Sequence, residues 1–168
     1  PRTKGRAVIT EHDLHHLQAA IAVAQRARAH GNHPFGAILV DADNQVVLEA
    51  ENTVVTEQDC TGHAETNLVR LASRRFTPEQ LATCTLYTST EPCAMCAGAI
   101  HWSQIGRVVY ALSEDDLYAI VGLAPEQLRL PCREVFAHSG RRVQVDNPDT
   151  ALAEEARAVH AGFWSQPG

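Results

Sequence analysis

The chain has 168 residues, 45% hydrophobic and 20% charged, which fits one globular domain spanning residues 1–168 and excludes a disordered chain. No apolar run approaches the roughly 18 residues of a membrane span, and Pro1 to Gly5 leads into no apolar segment, so the expectation is a cytoplasmic protein without a membrane partner. With 14 basic against 20 acidic residues the formal charge is −6, which argues against a nucleic-acid partner.

Thr10 to His30 reads as a helix: Leu14, Leu17, Ile21 and Ala24 recur at helical spacing, Thr10 with Asp13 makes a capping box with the shorter acid, and Gly31 supplies a stop. The runs Phe35 to Val40 and Gln45 to Ala50, joined by Asp41-Ala42-Asp43-Asn44, form a hairpin. His63 to Arg75 is a second helix with Ala64, Leu68 and Leu71 inward. Pro78 opens a short turn, and Cys84 to Thr88 is a buried strand. Pro92 stands at the start of a helix running to about Trp102, where its missing N–H costs nothing. Arg107 to Leu112 is a strand and Ser113 to Val121 a helix, with Glu114, Asp115 and Asp116 as a solvated acidic start. Val143 to Val145 is a short strand and Thr150 to His160 a closing helix. A hairpin followed by alternating helices and strands predicts a three-layer α/β/α sandwich around a mixed sheet of about five strands. Histidines such as His15 and His16 fit the surface.

The five cysteines, Cys60, Cys84, Cys93, Cys96 and Cys132, are an odd count that argues against a disulfide framework. Cys60, Cys84 and Cys132 fit small buried hydrophobes. Cys93 and Cys96 differ: three positions apart, they share a face in the first turn of a helix, where unpaired N–H groups favour thiolate. With His63 on another helix they make three ligands for a tetrahedral Zn²⁺ and leave the fourth position for a water or hydroxide, the catalytic rather than the closed structural pattern. Glu65 lies two residues from His63. Both reach one site only if His63 stands at the very entrance of its helix, because i and i+2 do not share a helix face. A carboxylate there can move the proton that a leaving amine requires. A thioredoxin-like redox pair is the alternative for Cys93 and Cys96, disfavoured by Pro92 before rather than between them and by His63-Ala64-Glu65 upstream.

His-x-Glu followed by Pro-Cys-x-x-Cys is the signature of zinc-dependent nucleobase deaminases, present here as His63-Ala64-Glu65 and Pro92-Cys93-Ala94-Met95-Cys96. From about His33 to Leu112 the chain resembles the cytidine deaminase superfamily. That resemblance implies hydrolytic release of ammonia from an amino-heterocycle, a free base or nucleoside. It also implies one Zn²⁺ per chain and a homodimer. The run from Thr88 to Tyr110 is similar to both bacterial guanine deaminases and tRNA adenosine deaminases. Trp102 is similar to the guanine pattern, which places guanine-type substrates slightly ahead of cytosine-type. The acidic stretch Ala111 to Asp116, and Glu154 with Glu155, depart from the basic loop and tail of the tRNA enzymes. An acidic pair found in guanine deaminases has no match near Gly122 to Glu126, whereas Gly162-Phe163-Trp164 resembles the aromatic lid of fungal cytosine deaminases. The resemblance further implies that Asn52 and Phe35 line the base pocket, with the backbone at Ala64 positioning the ring. Trp102 fits core or pocket; Phe163 and Trp164 fit a lid or an anchor for the last helix. A tRNA adenosine deaminase is the second reading, and a non-catalytic zinc-stabilised scaffold the third.

Overall fold

The computed structural model describes residues 8–148 and 151–164. Its element order is α1 (Glu11–Ala29), β1 (Gly36–Val40), β2 (Val46–Glu51), α2 (Val54–Glu57), α3 (Ala64–Arg75), α4 (Pro78–Leu81), β3 (Thr85–Thr90), α5 (Ala94–Ser103), β4 (Arg107–Leu112), α6 (Glu114–Val121), α7 (Cys132–Ala137), β5 (Gln144–Asp146) and α8 (Ala153–Ala158). The five strands run in the order β2-β1-β3-β4-β5. β1 is antiparallel to both β2 and β3, while β3, β4 and β5 are parallel, so the sheet is mixed as expected.

Side-chain alternation splits the core in two. Ile38, Val40, Tyr87 and Val109 face α1 and α8 with Leu17, Ile21, Ala24 and Ala156. Ala37, Leu39, Leu86 and Val108 face the other way, onto Leu68 and Ala72 of α3, Ile100 of α5 and Phe136 of α7. That is the three-layer sandwich. No helix among the described residues is long and apolar enough to cross a membrane.

Local chemistry explains most boundaries. α1 starts at the Thr10–Asp13 capping box and ends before Gly31, whose φ of 89° suits glycine. Gly36 is needed for a different reason: a Cβ there would run into the backbone of Ala20, Val23 and Ala24, so α1 can lie directly on β1 only over glycine. The parallel pair β3 and β4 is joined through α5, as a parallel connection requires a crossover.

Several expectations are corrected. Leu71 is 44% exposed, and Ala72 takes the inward position instead. His16 and His160 are buried rather than on the surface, packed against Tyr87 and Phe35 respectively. Of the acidic start of α6, Glu114 is buried and bonded to the Tyr118 hydroxyl. Cys60 is exposed, not a small core residue. The closing helix is shorter than expected, and Thr150 lies outside the described residues. α2 and α7 are short turns of helix that periodicity could not register.

Candidate active site

α3 and α5 enter the layer beneath the sheet side by side and bring their N-termini together. His63 is the N-cap of α3, with extended backbone at φ −70° and ψ 147°, and Cys93 is the N-cap of α5, at φ −66° and ψ 171°. The entrance position required of His63 is therefore what the chain adopts. The loop before it is held in place by Asn67, whose amide donates to the Glu51 carbonyl and to Thr53 Oγ1.

His63 Nδ1 lies 3.5 Å from Cys93 Sγ and 3.6 Å from Cys96 Sγ, and the three donor atoms all fall within 4.8 Å of one another. A tetrahedral ion with Zn–S of about 2.3 Å and Zn–N of about 2.0–2.1 Å requires N···S separations of about 3.5–3.6 Å, so the donor set fits zinc in chemistry and in span. No other cluster of this kind occurs among the described residues. The Thr66 hydroxyl is hydrogen-bonded to Cys96 Sγ at 3.3 Å, an outer contact of the sort that orients a thiolate ligand. The Cys96 thiol, donating to Cys93, pulls Cys93 down to about 4 with help from His63, and Cys96 itself goes up. The sulfur–imidazole contact raises His63 against the opposing effect of burial.

Glu65 is 5% exposed and shares a cavity of about 140 Å³ with Phe35, His63, Thr90, Glu91, Cys93, Leu117 and Tyr118. Burial pushes its carboxyl above the usual range, against the Thr88 hydroxyl, which donates to Oε1 at 2.5 Å. The cavity floor is the end of β3 and the entrance of α5; its far wall is α6. Glu91 ties these together, since its two carboxylate oxygens accept the N–H groups of Glu114 (3.1 Å) and Cys132 (3.0 Å) at the starts of α6 and α7. A larger groove of about 350 Å³ lies between α1, β2 and α3, where Arg26 pairs with Glu49, but it lacks the donor cluster.

The other expected site residues fall in different places. Phe35 lines the cavity, and Ala64 opens α3 beside it, at a position whose N–H has no intrahelical partner. Asn52 is 1% exposed and spends Oδ1 on the Val54 N–H at 3.0 Å; it does not border the cavity, and its amide N–H groups make no bond among the described residues. Trp102, near the end of α5, is 82% exposed, so it is not a core residue, and it does not border this cavity. Trp164 does not border the cavity. Its indole N–H donates to His160 Nδ1 at 3.0 Å, and its ring packs 6.1 Å from that of Phe35, so it anchors the chain end behind a cavity residue. Sequence reasoning missed Thr66, Thr88, Thr90, Glu91, Leu117 and Tyr118. The one available signal was Thr88-Ser89-Thr90, three hydroxyls in a strand otherwise built to be buried.

Residues 10–112 match the cytidine and deoxycytidylate deaminase zinc-binding region. A probable cytosine deaminase of Schizosaccharomyces pombe is 42% identical over 158 residues, covering 93% of this chain and 94% of that one. The guanine deaminase of Bacillus subtilis is 45% identical over 83 residues, or 49% of this chain and 53% of its own. The guanine deaminase of Nitrosomonas europaea has the same fold, with a TM-score of 0.71 at 24% identity over 92% of this chain and 84% of that one. On the matched region, the near full-length relative and a donor set that fits the ion, this chain belongs to the cytidine and deoxycytidylate deaminase zinc-binding family.

Proposed function

We propose that this protein hydrolytically deaminates a small amino-heterocycle, with cytosine-type free bases ahead of guanine-type. The observation that carries the reading is one cavity holding the His63, Cys93 and Cys96 donors together with the buried Glu65 carboxyl. The order of substrates follows two further points. The relative matched over nearly the whole chain is a probable cytosine deaminase, and Trp102, the residue behind the guanine preference, stands on the surface. The cavity is also well below the roughly 300–1,000 Å³ typical of drug-sized ligands, which suits a single flat ring.

His63, Cys93 and Cys96 would hold the zinc, which when bound supplies the Lewis acidity that activates water for attack at neutral pH. Glu65 moves the protons: held at Oε1 by Thr88, it takes one proton from the attacking water and delivers it to the ring nitrogen. It then takes the second from the hydroxyl that attack has added to the ring carbon and delivers it to the amine, which departs as ammonia while that carbon becomes the oxo carbon. Phe35 and Leu117 exclude bulk water from the ring, and the free N–H of Ala64 orients its oxo group. A homodimer is proposed with this reading, because a Trp as exposed as Trp102 fits a contact surface.

The test is ammonia release by zinc-loaded protein from cytosine, guanine, adenine, their nucleosides and an anticodon stem-loop RNA. Turnover of a free base, cytosine foremost, is expected. Turnover of the RNA alone would overturn the reading in favour of a tRNA enzyme, and silence with zinc bound would favour the scaffold.

A further inference from the structure

We propose that the Thr90 hydroxyl reads the polar edge of the bound heterocycle and is a specificity-determining group of this pocket, an inference that rests on the base-deaminase reading above. β3 ends in three consecutive hydroxyl residues, all buried. Two are engaged by the protein: Thr88 Oγ1 donates to Glu65 Oε1, and Ser89 Oγ accepts the Gly36 N–H at 3.2 Å. Thr90 differs. It is 2% exposed and borders the cavity, yet Oγ1 has no hydrogen-bond partner among the described residues. Its backbone carbonyl lies 3.0 Å from Thr88 Oγ1, but Thr88 does not serve Thr90 Oγ1.

Position in the strand says what it faces. Side chains of a strand alternate, so Thr90 shares the face of Thr88, the face that carries Glu65, and lies one pleat nearer the start of α5 and Cys93. Two other buried polar atoms are unpartnered among the described residues, His16 Nδ1 and His160 Nε2. Neither belongs to a residue that borders this cavity. A buried hydroxyl without a partner is costly and rare, and valine would fill the same space without that cost. A hydroxyl here therefore has its partner in the ligand. One O–H donor and two lone pairs can serve a ring nitrogen, an oxo group or an exocyclic N–H.

The experiment compares wild type, Thr90→Val and Thr90→Ser as zinc-loaded proteins. Equilibrium binding of cytosine and guanine is measured by calorimetry beside zinc content, thermal midpoint and steady-state kinetics. Thr90→Val should weaken binding of the preferred base about 10- to 100-fold, mainly in KM, because the ring's polar edge then lies unpaired against a methyl group. Thr90→Ser should bind much as wild type does. Both should keep one zinc per chain, and the valine variant should melt at or above the wild-type temperature, since it removes an unpaired polar group. Unchanged base affinity in Thr90→Val would overturn the proposal, as would a serine variant as impaired as the valine one. Wild type that binds neither base would overturn it too. If wild type binds a base in a Thr90-dependent way but releases no ammonia, the specificity role stands and the deaminase reading fails.

Discussion

Two buried polar clusters sit on opposite faces of one sheet, and they differ in whether their hydrogen bonds close. On the α1 face, Asp13 accepts four: from the Arg107 guanidinium at 2.8 and 3.2 Å, from the Tyr87 hydroxyl at 2.6 Å and from the Thr10 N–H at 2.9 Å. Arg107 then donates to Asp146 at 2.8 Å, so the cluster stitches α1, β3, β4 and β5 together. On the α3 and α5 face, the three metal donors crowd one another, and the Thr90 hydroxyl has no partner among the described residues. A satisfied buried network holds structure, whereas one left open is waiting for something the chain does not contain.

The sharpest way to break this comparison is to disable each cluster and ask what is lost. Glu65→Ala should lower turnover by about 10²–10⁴-fold while zinc content and melting temperature stay near wild type. Cys93→Ala should lose zinc and stability together, because the metal's binding energy is also folding energy. Turnover of Glu65→Ala equal to wild type, or a full zinc complement in Cys93→Ala, would remove that residue from its role. Asp13→Asn should do the reverse. It should destabilise by about 3–5 kcal/mol, toward the lower figure since Arg107 is 20% exposed, with the metal ligands left intact. Denaturant unfolding beside metal analysis separates the two patterns.

Acid distinguishes them further. Burial opposes ionisation of Asp13, but hydrogen bonds from Arg107, Thr10 and Tyr87 outweigh it and hold the carboxyl well below its usual range. A depressed carboxylate contributes stability above the unfolded value of about 3.9 and loses it as pH falls through the folded one. Wild type should therefore destabilise steeply below pH about 4, and Asp13→Asn less steeply. His160 acts in a higher window. Burial, and then the charge of Arg28, lowers it to about 4, so it is neutral in the fold and its contribution is complete above the unfolded value of about 6.5. Stability should decline as pH drops from about 6.5 to about 4, and His160→Phe should flatten that part of the curve. Melting temperatures across pH 3–8 would show whether the two steps exist and belong to these residues. The smallest effect is expected from Trp102→Ala: unchanged KM and zinc, with weakened self-association by sedimentation.

The sequence was most legible where local chemistry alone decides. The Thr10–Asp13 box, the Asp/Asn turn, Pro92 before α5 and the Ser113 start of α6 each act within a few residues, so the elements fall close to where they were expected. His63, Glu65, Cys93 and Cys96 were legible because a metal and a proton shuttle restrict residue type and spacing. Leu71 and Ala72 exchanged roles because both suit an amphipathic pattern, and only the packing of α3 on the sheet chooses between them. Trp102 illustrates the same limit, since an indole near a helix end is equally at home in a core, a pocket or an interface.

What the sequence determined by itself was the order of the strands and of the longer helices, the α/β class and the donor atoms available for zinc, all consequences of periodicity, capping and side-chain chemistry. What only tertiary structure decided was which hydroxyls, carboxylates and rings face the site. Thr66, Thr88, Thr90 and Glu91 acquire their roles from α3, α5 and α6 converging at the end of β3. No local pattern encodes that, because each contact joins residues far apart in the chain and depends on which side of the sheet a helix packs.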